Sequence, residues 1–233
     1  MKIALLGYGR MGKAIEQIAL QRGHTIVAIL DKNEKKGDLS KAEVAINFSI
    51  PSAAVENIQS AFDLQLPVVC GTTGWLEHLD RIHSYCQEKE TAFLYASNFS
   101  IGVNLFFKLN RLCAQLMKGH KDSYSPTITE IHHVHKLDAP SGTAITLAEG
   151  VIEHYDHYSK WTLEENSDEL HINALREGEV PGTHTIAYRS KIDELSIEHK
   201  AHSRAGFALG AVIAAEWLQD KQGIYSMNDV LNL

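Results

Sequence analysis

Residues 2–22 read KIALLGYGRMGKAIEQIALQR, and this stretch decides the fold of the first part of the chain. A short apolar run ends at Gly7, and apolar side chains then recur at helical spacing from Met11 to Ala19. Between the two lies GYGRMG, a complete G-x-G-x-x-G at a predicted strand-to-helix turn. Its glycines permit the tight turn, the close approach of a pyrophosphate and the close packing of helix on strand. The stretch therefore predicts a dinucleotide-binding unit.

The same alternation of strands and helices continues along the first half of the chain. Further strands are predicted over 25–30, 43–48, 67–70 and 92–96, with helices over 52–62 and 76–88. This rhythm indicates a parallel sheet with helices on both faces. We expect a Rossmann-type dinucleotide-binding domain formed by 1–103 together with 205–233. In that second part a last helix returns to the sheet and the final residues form a tail.

Three further features of this domain are predicted to contact the cofactor. Asp31, at the end of the second strand, is placed to bind the adenosine ribose hydroxyls, which favours NAD. Lys32 follows directly and could accept the 2′-phosphate of NADP, so NADH and NADPH both stay open. The loops GTTG (71–74) and SNFSIG (97–102) follow the fourth and fifth strands, where such folds bind ligands. Their small residues and hydroxyls suit a nicotinamide ring.

From about residue 104 the pattern changes to a mixed α/β arrangement. Helices are predicted over 104–118 and 142–155, and strands over 127–134, 170–178, 183–190 and 193–203. The first helix carries one apolar stripe that is assigned to the core, formed by Leu105, Phe106, Leu109, Leu112, Cys113 and Leu116. We interpret 104–204 as a second domain, inserted before the last helix, that binds substrate and forms the oligomer.

Composition excludes several classes of partner. The chain is 44% hydrophobic and 22% charged with a net charge of -7, and no basic stripe stands out, so no nucleic-acid partner is expected. Cys70, Cys86 and Cys113 form no C-x-x-C pair, which favours a reducing compartment. No leader or membrane-spanning run is recognisable, so we expect a cytoplasmic protein without a membrane partner.

The densest cluster of reactive side chains lies in EIHHVHKLDAPSGTA, residues 130–144. If the strand continues through it, His133 and His135 share one face and His132 points to the other. Adjacent histidines rarely coordinate one ion together, and no H-E-x-x-H or cysteine set completes a tetrahedral site. The sequence therefore predicts no metal.

The same segment suits proton transfer beside an anion site. A histidine titrates near neutrality, and a lysine can supply a proton or a fixed positive charge. The amides of Gly142 and Thr143 open a predicted helix beside the hydroxyl of Ser141, which makes a site for a carboxylate or phosphate. In a dinucleotide-binding protein, this combination predicts hydride transfer to a small carboxylate substrate.

The segment 130–144 resembles the signature of the 4-hydroxy-tetrahydrodipicolinate reductase (dihydrodipicolinate reductase) family, which acts in the diaminopimelate route to lysine. The resemblance covers nearly the whole chain, because further motifs follow in the order of the family. They are GYGRMG, NFS (47–49), GTTG, SNFSIGVN (97–104), REGEVPGTH (176–184), FALGA (207–211) and GIYSMNDVL.

By this resemblance, His132 is the general acid/base and Lys136 the proton donor, whereas His135 receives no role. The substrate's carboxylates would be held by His133, Ser141, Gly142 and Thr143. The implied cofactor-binding residues are Gly7, Tyr8, Gly9, Arg10, Met11, Gly12, Asp31, Lys32, Gly71, Thr72, Thr73, Ser97, Asn98 and Phe99. The implied reaction reduces 4-hydroxy-tetrahydrodipicolinate to tetrahydrodipicolinate with NADH or NADPH and loss of water. Members typically form homotetramers through the sheet of the second domain.

The chain departs from the family pattern at four positions, and these bear on cofactor preference and adenosine-side contacts. Asn47 replaces a usual aspartate, Ser97 a common proline and Val134 a frequent arginine, while Pro181 interrupts a VGxH stretch. The connection 32–44 is short, so a helix often found there is expected to be missing.

Two other functions stay open on the residues alone. One is a related imine or amino-acid dehydrogenase with the same two-domain build, which a substrate screen would reveal. The other is a dinucleotide-binding regulator without enzymatic activity. Retention of His132, Lys136, Gly142 and Thr143 speaks against a regulator, as does the lack of a visible partner-binding segment.

Overall fold

The computed structural model describes residues 1–32, 34–156, 158–165 and 168–233. The chain forms two compact units, one of residues 1–101 with 204–233 and one of residues 102–203. Each unit has its own sheet and its own apolar core. No helix within the described ranges is both long enough and apolar enough to cross a membrane.

The first unit is built on a seven-stranded sheet. Its strands are β1 (Lys2–Leu6), β2 (Thr25–Leu30), β3 (Lys35–Gly37), β4 (Val44–Asn47), β5 (Val68–Cys70), β6 (Ala92–Tyr95) and β12 (Gly223–Tyr225). Their order is β12-β6-β5-β4-β1-β2-β3, and all neighbours pair in parallel except β3, which runs antiparallel to β2. The predicted Rossmann-type parallel sheet is confirmed.

Helices cover both faces of this sheet. They are α1 (Arg10–Gln21), α2 (Pro51–Phe62), α3 (Leu79–Glu88), α6 (Ala205–Leu218) and α7 (Met227–Leu231). Successive residues of β1 point to opposite faces. Ile3 and Leu5 therefore enter the core beneath α1 and α6, whereas Ala4 and Leu6 enter the core beneath α2 and α3.

Two parts of the first unit differ from the sequence prediction. The predicted tail contains β12, which pairs with β6 at one sheet edge, and the helix α7, so the prediction of a tail was wrong. In the connection 32–44 the structure places β3 at the opposite edge, followed by a short 3-10 helix, Leu39–Lys41. Asn33, in the same connection, lies outside the described residues.

The second unit combines a five-stranded mixed sheet with two helices. Its elements are α4 (Ile101–Met117), β7 (Ser125–His132), α5 (Gly142–Ile152), β8 (Trp161–Thr162), β9 (Leu170–Arg176), β10 (Thr183–Arg189) and β11 (Glu194–Lys200). The strand order is β11-β10-β7-β9-β8. β10 runs antiparallel to β7 and β11, and β9 runs parallel to β7 and β8. The predicted mixed α/β character is confirmed.

The stripe of α4 that the sequence assigned to the core is buried only in part, because Phe106 and Cys113 are buried but its four leucines are exposed. Leu105, Leu109, Leu112 and Leu116 are 42%, 49%, 49% and 68% exposed. The buried face of the helix consists of Val103, Phe106, Asn110, Cys113 and Ala114. The prediction was wrong for the four leucines, because two apolar stripes lie side by side on this helix and only one meets the sheet.

Candidate functional site

The glycine loop joins β1 to α1 and leaves room for a ligand. Gly7 has a φ of +98°, and a Cβ on it would lie 2.2 Å from the carbonyl oxygen of Phe48. A Cβ on Gly12 would lie 2.4 Å from the carbonyl oxygen of Gly7. By contrast, no described atom lies within 4 Å of a Cβ placed on Gly9, and no described side chain caps α1 at that residue. The loop therefore combines a tight turn with an open helix amino end, as binding of a pyrophosphate requires.

Asp31 is fixed beside this loop at the end of β2. Its Oδ2 accepts a hydrogen bond of 2.7 Å from the backbone N–H of Tyr8. The Tyr8 hydroxyl donates to Glu16, and this bond raises the pKa of Tyr8 to about 12. Lys32 is exposed at the start of the following turn. The structure thus places the Asp31 carboxylate at the mouth of the glycine loop, where the sequence predicted it.

A cleft of about 330 Å³ brings two predicted cofactor segments together. Its lining includes Gly9, Arg10, Met11, Gly71, Thr72 and Thr73. The second loop is held from beneath by residues after β4. A Cβ on Gly71 would lie 2.2 Å from the ring of Phe48, and the Thr72 hydroxyl accepts a 2.9 Å hydrogen bond from the N–H of Ser49.

The third predicted segment, residues 97–99, lies outside the lining of that cleft. Ser97 is exposed, and the Asn98 side chain accepts a 2.9 Å hydrogen bond from the N–H of Ser100. Phe99 is only 2% exposed, and its ring centroid lies 5.5 Å from that of Phe48. The Phe99 ring therefore belongs to the core, and only the backbone of this residue is left to face a ligand.

The histidine cluster begins at the last residue of β7. The strand ends at His132, so the predicted strand over 127–134 was two residues too long and His133 and His135 lie in a turn. Their ring centroids are nevertheless 6.1 Å apart. The exposed His135 approaches Glu179 with its Nε2 at 3.2 Å.

Strand register gathers four charged or titratable side chains on the covered face of the second sheet. Glu130 and His132 alternate with exposed-side residues of β7, and both are buried. Pairing places His184 of β10 opposite Glu130, and Arg176 of β9 opposite His132. The cluster thus arises from three strands that are far apart in the sequence.

Glu130 is the centre of this cluster and is fully buried. It accepts hydrogen bonds from the Ser141 N–H at 3.0 and 3.1 Å, and from both terminal nitrogens of Arg176 at 3.2 Å. Its Oε2 also lies 3.5 Å from Nδ1 of His132 and 3.6 Å from Nε2 of His184. One carboxylate therefore contacts four surrounding groups.

These contacts shift the titration of both partners. Burial would raise the pKa of Glu130, but hydrogen bonding from His184 and Ser141 outweighs burial and lowers that pKa to about 2. Burial is also the main cause at His132, where the charge of His184 adds to it and Glu130 opposes it, and the resulting pKa is about 4. Near neutral pH, Glu130 is therefore ionised and the His132 ring is neutral.

Lys136 is held by Asp138 two residues further on. Its Nζ donates hydrogen bonds of 2.7 and 2.8 Å to the two carboxylate oxygens. Arg176 in turn donates a 2.6 Å hydrogen bond to the backbone carbonyl of Asp138. The turn that carries the lysine is therefore tied to the cluster around Glu130.

The amino end of α5 lies where the sequence predicted an anion site. Ser141 is the N-cap, and its hydroxyl accepts a 3.2 Å hydrogen bond from the N–H of Ala144 and lies 3.0 Å from Nε2 of His184. The N–H of Ser141 donates to Glu130, so both the N–H and the hydroxyl of Ser141 already have partners within the protein. Gly142 is exposed, with no described atom within 4 Å of an added Cβ, and Thr143 is half-buried. The open part of the site is thus at 142–143.

The structure also shows a group that sequence reasoning about metals did not consider. One ligand atom each of Glu130, His132 and His184 lies within 4.8 Å of the others. The carboxylate of this group is already hydrogen-bonded by Arg176 and Ser141. A guanidinium at 3.2 Å also disfavours a dication. The geometry favours a hydrogen-bonded cluster.

Glu130, Arg176 and His184 are the functional candidates that the sequence analysis missed. A usable signal existed for Glu130, which stands two residues before His132 and therefore shares its strand face. Arg176 and His184 delimit the motif REGEVPGTH, but their approach to Glu130 depends on strand register, which the sequence alone did not show.

Comparison with known families gives a consistent result over nearly the whole chain. Residues 1–99 match the family model described as dihydrodipicolinate reductase, N-terminus. Residues 102–231 match the model described as dihydrodipicolinate reductase, C-terminus.

Named relatives carry the same description. The chain is 54% identical over 235 residues to a 4-hydroxy-tetrahydrodipicolinate reductase of Christiangramia forsetii, covering 100% of this chain and 98% of the relative. It is 39% identical to one of Akkermansia muciniphila, covering 97% and 95%. Among solved structures, a dipicolinate-bound dihydrodipicolinate reductase from Paenisporosarcina sp. TG-14 superposes with a TM-score of 0.81 at 20% identity, over 97% of both chains. At that identity the structural likeness shows the fold.

Proposed function

The chain belongs to the dihydrodipicolinate reductase family, and on that premise we propose that it reduces 4-hydroxy-tetrahydrodipicolinate to tetrahydrodipicolinate with NADH or NADPH. This step belongs to lysine biosynthesis through diaminopimelate. The observation that carries the proposal is the segment from His132 to Thr143, which combines a neutral histidine, an ion-paired lysine and an open helix amino end.

The chemistry requires a hydride and a proton to be added and one water to be lost. A bound nicotinamide cofactor supplies the hydride. Lys136, whose Nζ contacts the Asp138 carboxylate, supplies the proton, and the neutral ring of His132 serves as the acid/base partner. His133, Gly142 and Thr143 bind the carboxylates, since the helix amino end and nearby positive charge favour anions.

The first unit fits a dinucleotide on its own geometry. The pyrophosphate binds in the open space over Gly9, at the uncapped amino end of α1. The Asp31 carboxylate accepts hydrogen bonds from the ribose hydroxyls. Gly71, Thr72 and Thr73 line the same cleft, and the backbone of 97–99 completes the nicotinamide end in this proposal.

A coupled assay tests the function. Dihydrodipicolinate synthase generates the unstable substrate in the cuvette, and oxidation of NADH or NADPH is followed by absorbance. We expect turnover that depends on the synthase, the chain and one reduced cofactor together. No absorbance loss with either cofactor, from protein that circular dichroism shows to be folded, would contradict the proposal.

Asp31 supports a preference for NADH over NADPH. Its carboxylate is anchored by the Tyr8 N–H at the ribose position, where it repels a 2′-phosphate. We expect the dissociation constant of NADH to be lower than that of NADPH, and Asp31→Ser to narrow the gap. Side-by-side fluorescence titrations measure both constants. A lower constant for NADPH in the unaltered chain would instead assign the deciding role to Lys32.

We also propose that the second unit assembles the chain into a homotetramer. The face of the second sheet opposite α4 and α5 carries short polar and small apolar side chains, among them Thr127, Thr129, Ile131 and Thr185, all partly exposed. A partly exposed sheet face of this kind suits sheet-to-sheet packing between copies. Analytical ultracentrifugation is expected to give four times the monomer mass of 25.9 kDa, and a monomer would contradict this assembly.

A further inference from the structure

Glu130 has no assigned role in the proposed reaction, although it is a fully buried carboxylate at the centre of the site. Its side chain is fully buried, so it cannot touch a substrate directly. A buried carboxylate is costly unless its oxygens are satisfied, and here every neighbour that satisfies it belongs to the site. These neighbours are His132, His184, Arg176 and the N–H of Ser141.

We propose that Glu130 is a positioning residue for His132, an inference that rests on the proposed function. Its Oε2 lies 3.5 Å from Nδ1 of His132, a buried nitrogen for which the described residues supply no hydrogen bond, and the negative charge at this distance favours the proton of the neutral ring on Nδ1. The opposite nitrogen, Nε2, is then left with its lone pair for the substrate. A carboxylate that fixes the tautomer and orientation of an active histidine in this way is a recurrent arrangement in enzymes.

The surroundings of Nε2 agree with this assignment. Gly182 lies directly beside it, and a Cβ added there would be 3.1 Å from Nε2. Any side chain at this position would crowd the nitrogen that Glu130 leaves available. The glycine at position 182 therefore keeps side-chain atoms away from Nε2 on that side of the ring.

The charges that face His132 explain why one anion is needed. Burial is the largest effect that disfavours a proton on the ring, and His184 on β10, Lys136 in the following turn and Arg176 on β9 add to it. Glu130, on the same strand, is the group that opposes them. Without it, no neighbouring anion among these groups would orient the ring, and both tautomers would become accessible.

The same carboxylate also links the ring to the rest of the site. It accepts the N–H of Ser141, the residue that caps α5. It also binds Arg176, which holds the backbone of Asp138, the partner of Lys136. Glu130 therefore sets the position of the acid/base ring relative to the lysine and the anion site.

Glu130→Gln tests the proposal, because it keeps the shape and removes the charge. We expect kcat to fall about 10–100-fold with KM changed far less, as for other groups that orient an active residue. Glu216→Gln is the matched control. Like Glu130, Glu216 accepts hydrogen bonds from an arginine and contacts a histidine, but it lies in the other unit. Arg22 donates to its carboxylate at 2.7 and 2.8 Å, and Nε2 of His24 lies 2.7 Å from it. Its exchange is expected to leave kcat unchanged.

A second measurement does not depend on enzymatic activity. Nitrogen-15 NMR of the histidine rings in the unaltered chain, with His132→Gln used to assign the signal, reports which nitrogen carries the proton. We expect the proton of His132 on Nδ1, and a mixture of tautomers in Glu130→Gln. The proposal is overturned if the proton sits on Nε2, if kcat is unchanged in Glu130→Gln, or if only KM rises, since that would place Glu130 in substrate binding. Inactivity of the unaltered chain would refute the proposed function and leave the NMR result to decide the role of Glu130.

Discussion

Replacing His132 by glutamine is expected to lower kcat by about 10²–10⁴-fold, the range found when a positioned acid/base group is removed. Glutamine keeps much of the volume and one hydrogen bond, but it cannot exchange a proton near neutral pH. His132 contacts the second-unit cluster of Glu130 and His184, whereas the glycine loop belongs to the first unit. The dissociation constant of NADH should therefore change little.

The measurement is kcat and KM in the coupled assay, with the NADH constant taken from fluorescence titration. His135→Gln is the matched control, because it makes the same exchange three residues away, at an exposed ring whose Nε2 lies 3.2 Å from the exposed Glu179. We expect the control to retain its activity. If His132→Gln kept its kcat, or if it lost NADH binding together with activity, the ring would have a structural role and Lys136 alone would carry the proton.

The parts of the fold that were predicted from sequence are those with strong local patterns. β1, the glycine loop and α1 follow from an apolar run, three glycines and helical periodicity within 2–22. The edge strands were missed because their partners, rather than their own residues, define them. β3 reads Lys-Lys-Gly and is exposed throughout, yet it pairs with the end of β2. β12 is three residues long and exists as a strand through its pairing with β6.

α4 shows a different limit of sequence reasoning. Periodicity shows that a helix has an apolar side, but two stripes on this helix qualify, one through Phe106 and Cys113 and one through Leu105 and Leu112. Which stripe meets the sheet depends on how the helix is rotated on the sheet. That rotation is set by packing against residues such as Ile128 and Leu147, which are distant in sequence.

The candidate site likewise combines residues that a local sequence pattern predicted with residues that only strand pairing brings together. His132, Lys136, Gly142 and Thr143 were named from one continuous segment. Glu130 stood in that segment without an assigned role, because its importance arises from His184 on β10 and Arg176 on β9. Register across three strands is a property of the whole sheet, and a one-residue slip would have turned these side chains to the opposite face. The residues proposed for catalysis and substrate binding could therefore be named from the sequence, whereas the buried residues that contact them could not.

Gly210→Ala is expected to have the largest effect on stability among single-methyl additions to α6. A Cβ at this position would lie 1.7 Å from the carbonyl oxygen of Phe99, so helix or loop must move. Overpacking against backbone typically costs about 1–3 kcal/mol or more, which exceeds the roughly 1 kcal/mol that alanine gains over glycine in a helix. Because Phe99 closes the predicted nicotinamide loop, the same shift should also weaken NADH binding.

Gly206→Ala, on the same helix, separates the clash from the change in helix propensity. The nearest described atom to its added Cβ is the Ser100 hydroxyl at 3.8 Å, an ordinary contact. Thermal unfolding of the two variants beside the unaltered chain is expected to show a clear loss for Gly210→Ala and none for Gly206→Ala, with NADH titrations following the same order. Equal stability of both variants would show that α6 can move away from Phe99 at no cost, and the loop would then owe its position to Asn98 and Phe48 instead.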